Sequence, residues 1–320
     1  MNIAIIGAGF AGLATGWFLT ELGCRITFYD VNSIGKGASG CAAGLLHPYV
    51  GEQTKRSLWA DEAIAATKAL LLAAQPQAIL EEGIIRIAQS QSQREALNGY
   101  DDVESLGEDR FLICSGIVVD SALYLQGLFQ GCLAKGATFE KKEIADLGEL
   151  SDFTEVVIAA GHQIDRLLPQ FQSCFSKIKG QILRVHLAEK KIRSLIAKGY
   201  LARSAQEGIY HWGSTYEHNY TNEEPDLAMA LSLLQKNEFP FPGQPDILDC
   251  RAGVRLARQG HYMPFVDQIK KGLWCFGALG SRGLLYHALL GKKLAEAIIR
   301  GNRDLIPKEC RARKNEIPRP

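Results

Sequence analysis

The chain has 320 residues, 36 Lys plus Arg against 35 Asp plus Glu, and a hydrophobic share of 47%. That length exceeds the size at which one core stays undivided, so two domains are expected. A net charge of +1 excludes a global attraction to nucleic acid or acidic membranes, and no apolar run approaches the ~20 residues that span a bilayer.

In chain order, residues 2–6 read as a buried strand, followed by Gly7-Ala8-Gly9-Phe10-Ala11-Gly12 and a helix over 11–22. No basic residue precedes this apolar start, so it reads as structure kept in the mature chain rather than as a signal peptide. Residues 26–29 form a second strand that ends on Asp30, and a glycine-rich segment covers 35–44. A long helix is predicted from 57 to about 80, then short strand-like pieces such as 83–87, broken by polar loops to 113. Asp120 caps a helix to about 135, with Tyr124, Leu125, Leu128 and Phe129 on one face. Residues 136–139 and 155–161 read as buried strands, the second typical of a parallel sheet interior. Alternating strands follow at 181–187 and 208–213, with a helix over 227–236 and a linker marked by Pro240, Pro242 and Pro245. A strand at 272–276, the cluster 277–283 and an amphipathic helix to about 300 close the pattern. The tail, with Lys308, Arg311, Arg313, Lys314 and Arg319, reads as a solvated, partly frayed terminus. Eight cysteines are scattered without a CxxC pair, which points to reduced core thiols in a cytoplasmic protein and to no zinc site.

The first glycine cluster answers a specific physical demand. Gly7 ends a strand in a tight turn, Gly9 leaves no side chain where a pyrophosphate must touch backbone, and Gly12 lets the helix pack close to the sheet. The helix start offers its N–H groups and dipole to the phosphates. Asp30 stands where a carboxylate accepts both hydroxyls of a ribose and repels a 2′-phosphate, so the ligand is FAD or NAD rather than NADP. A nicotinamide enzyme needs only that first cluster. Burial of a whole flavin needs backbone approach at several places, and the further clusters at 35–44 and 277–283 favour FAD.

The layout resembles the D-amino-acid-oxidase-type (DAO) flavoproteins, which include glycine oxidase and sarcosine oxidase. The carriers are GAGFAG with Asp30, GASGCAAG, VVIAAG, KGQILRV, HWGSTYE, RAGVRLARQGHYMPF and GALGSRGLLYHALLG, from residue 2 to about 300. Within the family, GASGCAAGLLHP, AGVR…MP and LGSRGL are most similar to the oxidase half of bifunctional enzymes that modify the wobble uridine of tRNA. The resemblance implies an α/β plus α+β fold. A Rossmann-like FAD-binding domain of GR2/DAO type is expected from 1–82, 114–179 and 248–306. An antiparallel-sheet substrate domain is inserted as 83–113 and 180–247, and a basic tail covers 307–320.

It also implies noncovalent FAD, with Cys275 a core residue rather than a flavin link. Gly7, Gly9, Phe10, Ala11, Gly12, Asp30 and Val31 would hold the ADP part, and Ala38, Ser39 and Gly40 would lie along the pyrophosphate and flavin. Gly44 and Leu45 would pass close to the ring, and Ala160 and Gly161 would stand at the strand end beside the dinucleotide. Gly280, Ser281, Arg282, Gly283 and Leu284 would open the last helix at the pyrimidine edge of the flavin, where its dipole stabilises negative charge. Arg255 and Arg282 are the expected catalytic pair, gripping a substrate carboxylate and fixing the neighbouring C–H against flavin N5. Tyr200 and His47 are substrate candidates, while Tyr210 and His261 read as strand or rim residues.

The implied reaction is oxidation of a carboxylate-bearing amine, hydride passing to the flavin and the imine then being hydrolysed. The substrate is either the carboxymethylaminomethyl group of a tRNA uridine or a free amino acid such as glycine, sarcosine or a D-amino acid. The lack of a basic excess and of a methyltransferase half in these residues weighs against tRNA. A flavin-binding partner protein without turnover is the third reading, opposed by the presence of both arginines. No metal and no membrane are expected, and the oligomeric state is left open.

Overall fold

The computed structural model describes residues 1–189, 191–236, 239, 244–313 and 316. Pro240, Pro242, Lys314 and Arg319 lie outside the described residues. In chain order the first half holds β1 (Asn2–Ile6), α1 (Phe10–Glu21), β2 (Arg25–Asp30), β3 (Leu45–Leu46), α2 (Ala60–Ala74), β4 (Ile79–Ile87), α3 (Gln91–Asn98), β5 (Val103–Ser105), β6 (Arg110–Val119), α4 (Ser121–Ala134), β7 (Thr138–Lys141) and β8 (Glu155–Ile158). The second half holds α5 (Ile164–Leu167), β9 (Phe175–His186), β10 (Leu195–Ile196), β11 (Tyr200–Arg203), β12 (Ile209–Gly213), α6 (Leu227–Lys236), β13 (Asp246–Arg258), β14 (Phe265–Lys270), β15 (Leu273–Gly277) and α7 (Gly283–Arg300). The chain divides into two units, Met1–Gly40 with Leu125–Ile178 and Val254–Pro320, and Cys41–Tyr124 with Lys179–Gly253. Residues 41–82 and 114–124, expected with the nucleotide-binding part, group with the second unit because β3 and β4 pair with β6.

The first unit is built on a sheet of order β14-β15-β8-β1-β2-β7, parallel except for β14. β1 is its centre, with Ile5 level with Phe28 of β2 and Val157 of β8. From Ile3 to Ile6 its sequence is apolar because both faces are covered, and Ile3, Ala4 and Ile5 are fully buried. Each such isoleucine contributes roughly 2 kcal/mol. α1 is buried along nearly its whole length and lies close against α7 at Gly291, where a Cβ would be 3.1 Å from Ala14.

The tail is not a solvated fray over its described part. Arg258 of β13, its side chain 0% exposed, donates to both carboxylate oxygens of Glu316 and to the carbonyls of Glu309 (3.1 Å) and Arg311 (2.6 Å). Asp267 accepts from Arg303 and from the Ala312 N–H at 2.8 Å, and Ile306 and Cys310 are fully buried. A buried cation and a buried carboxylate draw the basic segment onto the unit.

The second unit holds a sheet of order β13-β9-β12-β11-β10-β4-β6-β3, with β5 on β6; its β10–β4 pair is parallel and its β9–β12, β12–β11, β11–β10, β4–β6 and β6–β3 pairs are antiparallel. One face packs Ile85, Leu183, Val185, Leu201, Tyr210 and Trp212 around Ala230 and Leu233 of α6. The alternate residues turn to the other face, where Arg86, Ile196, Tyr200 and Gly213 form one cross-strand row. The predicted helix to about residue 80 stops at Ala74 instead. Pro76 cannot continue it, and the β-branched run that follows becomes β4. α3 was not foreseen, because only Leu97 is buried and no apolar period marks it.

Candidate functional site

The first unit's candidate site lies at the carboxyl ends of β1, β2 and β8, where the strand order reverses. Gly7 leaves β1 with φ +104, its N–H donating to the Tyr29 carbonyl at 2.7 Å, and a Cβ there would stand 2.3 Å from the Ala159 carbonyl oxygen. Only glycine fits. Gly12 is pressed as closely, a Cβ falling 1.9 Å from the Gly7 carbonyl oxygen. The Ala8 N–H donates to Asp30 Oδ2 at 2.8 Å and the Asn32 N–H to Oδ1 at 2.9 Å. These two bonds fix the carboxylate at the end of β2 and leave it lone pairs for further donors. Val31 follows on the exposed edge.

The second glycine-rich segment comes back to the first. Ser39 Oγ accepts the Phe10 N–H at 3.1 Å, so Ser39 caps the opening turn of α1, with Ala38 and Gly40 beside it in sequence. The N–H groups of Ala11 and Gly12 have no acceptor within the helix and belong to its positive end. β8 ends at Ile158, and Ala160 and Gly161 lead into a single 3-10 turn.

The third cluster joins them from the far end of the sequence. A Cβ on Gly283, the first residue of α7, would lie 3.5 Å from the Phe10 ring, and that ring is 5.0 Å from His287. Gly280, Ser281 and Arg282 form a 3-10 turn that hands the chain to Gly283 and Leu284. Before it, Ala278 takes a left-handed φ of 52, a costly conformation for a residue with a Cβ. Leu279 bridges to Ala257 of β13, which brings Arg255, two residues earlier on the same side of that strand, alongside the turn.

Arg282 is half-buried, and burial lowers its pKa, with Tyr262 and Tyr286 acting in the opposite sense. The Tyr262 ring lies 5.0 Å from its guanidinium carbon. Tyr262 stands inside the HYMPF stretch, yet nothing local to that stretch marked it as a partner of Arg282. His261 is a loop residue whose Nδ1 accepts the Met263 N–H at 3.1 Å. Cys275 is fully buried in β15, and burial raises its thiol pKa. It is a core residue.

Four predicted residues belong to the second unit. Gly44 turns with φ +77 against the Val119 carbonyl, and Leu45 pairs with Val118. His47 is buried, and Tyr200 lies across Gly213, where a Cβ would meet its hydroxyl at 2.4 Å. Tyr210 points to the opposite face, and its hydroxyl accepts the Ile192 N–H at 3.0 Å inside the core. Among the described residues no group of three or more His, Cys, Asp and Glu is placed to hold a metal ion, and no helix is long and apolar enough to cross a membrane.

Residues 2–297 match the family described as FAD dependent oxidoreductase (DAO). The chain belongs to this DAO family. It is therefore an FAD-dependent oxidoreductase. Its relatives include the tRNA 5-methylaminomethyl-2-thiouridine biosynthesis bifunctional protein MnmC of Marinobacter nauticus, 24% identical over 349 residues, 92% of this chain and 55% of that protein. The MnmC of Vibrio cholerae is 30% identical over 124 residues, 36% of this chain and 18% of that one. The chain spans about half the length of MnmC proteins aligned over nearly all of it. Glycine oxidase from Geobacillus kaustophilus shares the fold at a TM-score of 0.80 and 19% identity, covering 94% of each chain. The DAO residues present here fit FAD: a left-handed, Cβ-free turn, a capped helix start and a fixed carboxylate meet at one crevice.

Proposed function

We propose that this DAO protein oxidises the C–N bond of a carboxylate-bearing amine, with Arg282 and Arg255 as its carboxylate clamp. The bound FAD would supply a two-electron acceptor for the C–H bond next to nitrogen. The observation that carries the reading is the half-buried guanidinium of Arg282 on the strained turn that opens α7, with Arg255 alongside through the Ala257–Leu279 bridge. A guanidinium pairs bidentately with a carboxylate and fixes the adjacent carbon, so the arginines orient rather than exchange protons. Asp30 and the N–H groups of α1 would hold the ADP part, Ser39 and Gly40 the pyrophosphate, and Gly44 and Leu45 would pass near the ring. The positive end of α7 would stabilise charge on the flavin's pyrimidine edge. Tyr200 and His47 would meet the substrate. Binding is expected to be noncovalent.

For the substrate we favour a carboxymethylaminomethyl group on a tRNA wobble uridine, because the relatives aligned over most of the chain are MnmC proteins. Free glycine, sarcosine or a D-amino acid is the second reading, supported by the likeness to glycine oxidase and by a net charge of only +1. The oxidised protein mixed anaerobically with glycine, sarcosine, D-alanine or hypomodified tRNA tests both. Bleaching by tRNA alone supports the first, and bleaching by a free amino acid supports the second. Arg282→Ala is expected to abolish bleaching by any carboxylate substrate, and full activity in that variant would sink the clamp.

A further inference from the structure

Arg86 is an anomaly in the second unit. Its side chain is charged and sits on β4, yet the residue is only 4% exposed. Its one hydrogen bond among the described residues is a long one, Nη2 to the Gly51 carbonyl at 3.4 Å, and its Nε has no partner. Among the described residues no carboxylate lies within ion-pair distance, and Glu52 acts on it only from farther away. Arg258, equally buried, shows what a guanidinium normally requires: a carboxylate on two nitrogens and two carbonyls besides. An uncompensated buried cation is strongly unfavourable, and burial pushes the Arg86 pKa down to about 10.

A second orphan lies on the loop whose Gly51 carbonyl Arg86 reaches. Thr54 is fully buried, its hydroxyl has no partner among the described residues, and its N–H points at the same Gly51 carbonyl that Arg86 uses, at 3.5 Å. Thr54 is also left-handed, with φ 49, a strained state for a β-branched residue. The Arg86 guanidinium and the Thr54 backbone thus share the Gly51 carbonyl, and each residue keeps a buried donor that this carbonyl does not satisfy. Arg86 further stands in the cross-strand row that carries Tyr200 on the face away from α6.

We propose that the Arg86 guanidinium and the Thr54 hydroxyl form a binding site in the second unit for a carboxylate- or phosphate-type oxyanion. The bound anion's oxygens would supply the missing acceptors to both orphans, and its charge would neutralise the cation. It goes beyond the amine-oxidation reading and is independent of it, because anion binding is measured without turnover.

The test uses the FAD-loaded protein titrated with acetate or inorganic phosphate against chloride at constant ionic strength. At about 100 times the dissociation constant, a specific anion raises Tm by about 5 °C in a saturable way. Arg86→Met is expected to lose this increment and Arg86→Lys to keep part of it. A response to acetate alone identifies a carboxylate as the ligand, and a response to phosphate alone identifies a phosphate group. No saturable response beyond that to chloride, or an Arg86→Met response equal to wild type, overturns the proposal. Should Arg86→Met fail to fold, the Arg86 Nε–H resonance, assigned by its loss in Arg86→Lys, provides the readout. It is expected to shift on anion addition, and an unmoved resonance overturns the site.

Discussion

Gly12→Ala is the sharpest perturbation of the nucleotide cradle. A methyl group at this position falls 1.9 Å from the Gly7 carbonyl oxygen, 3.0 Å from its carbon and 3.3 Å from Ile5 Cγ2, whereas real Cβ contacts essentially never come under 3.0 Å. The obstacle is backbone of the glycine turn itself, so no change of rotamer relieves it. α1 must withdraw by about 1 Å, or the Gly7 peptide must turn. Either movement disturbs the Phe10 N–H bond to Ser39 and carries the Ala11 and Gly12 N–H groups away from the phosphates. Overpacking of this kind costs about 1–3 kcal/mol, and a loss of about 1.4 kcal/mol at the ligand is tenfold in affinity. FAD affinity is therefore expected to fall at least about tenfold, read by titrating apoprotein with FAD and following the quenching of flavin fluorescence. Gly37→Ala, with open space around it and no left-handed φ, is the control and should bind as wild type does. A Gly12→Ala protein with wild-type affinity and an unchanged urea midpoint would refute the assignment.

Two further outcomes follow from buried charge. Glu316→Ala leaves Arg258 with two carbonyls but no counter-ion and is expected to cost about 3 kcal/mol in urea unfolding, whereas replacing both partners by apolar residues should restore much of it. A single variant within about 0.5 kcal/mol of wild type would refute the tail's docking role. His287 and His211 have pKa values pushed down to about 4, in each case chiefly by burial. Their folded forms stay neutral where the unfolded chain, titrating near 6.5, takes up protons. The stability they confer is complete above about pH 6.5 and is lost as pH falls toward 4, about 2 kcal/mol per group at pH 5. His287→Gln should shrink the pH 7 to pH 5 difference in unfolding free energy by about that amount, and an unaltered difference counts against the assignment.

The parts of the site that were legible are those whose demands are local. GAGFAG needs its glycines within a single turn, and Asp30 needs only to end the next strand, so spacing alone exposed both. Ser39 was placed along the pyrophosphate, but its bond to the Phe10 N–H spans 29 positions and leaves no periodic trace. The helix predicted to residue 80 failed because an Ala- and Leu-rich run hides its stop until Pro76 is weighed against the strand pairing beyond it. The basic tail misled for a related reason: its partners, Arg258 and Asp267, lie some 40 to 60 residues upstream and are buried only in the fold.

By itself, the sequence determined the nucleotide half of this protein: a βαβ start, a dinucleotide without a 2′-phosphate, and glycine clusters numerous enough for a flavin. These follow from short-range sterics, since a turn or a close approach must be written where it occurs. Only the tertiary structure decided which distant pieces meet. Gly283 packs at Phe10, Arg255 comes alongside the Arg282 turn through the Ala257–Leu279 bridge, and Arg86 is buried with too few acceptors. Burial and the company a charge keeps are properties of the packed chain, and a residue's letter does not carry them.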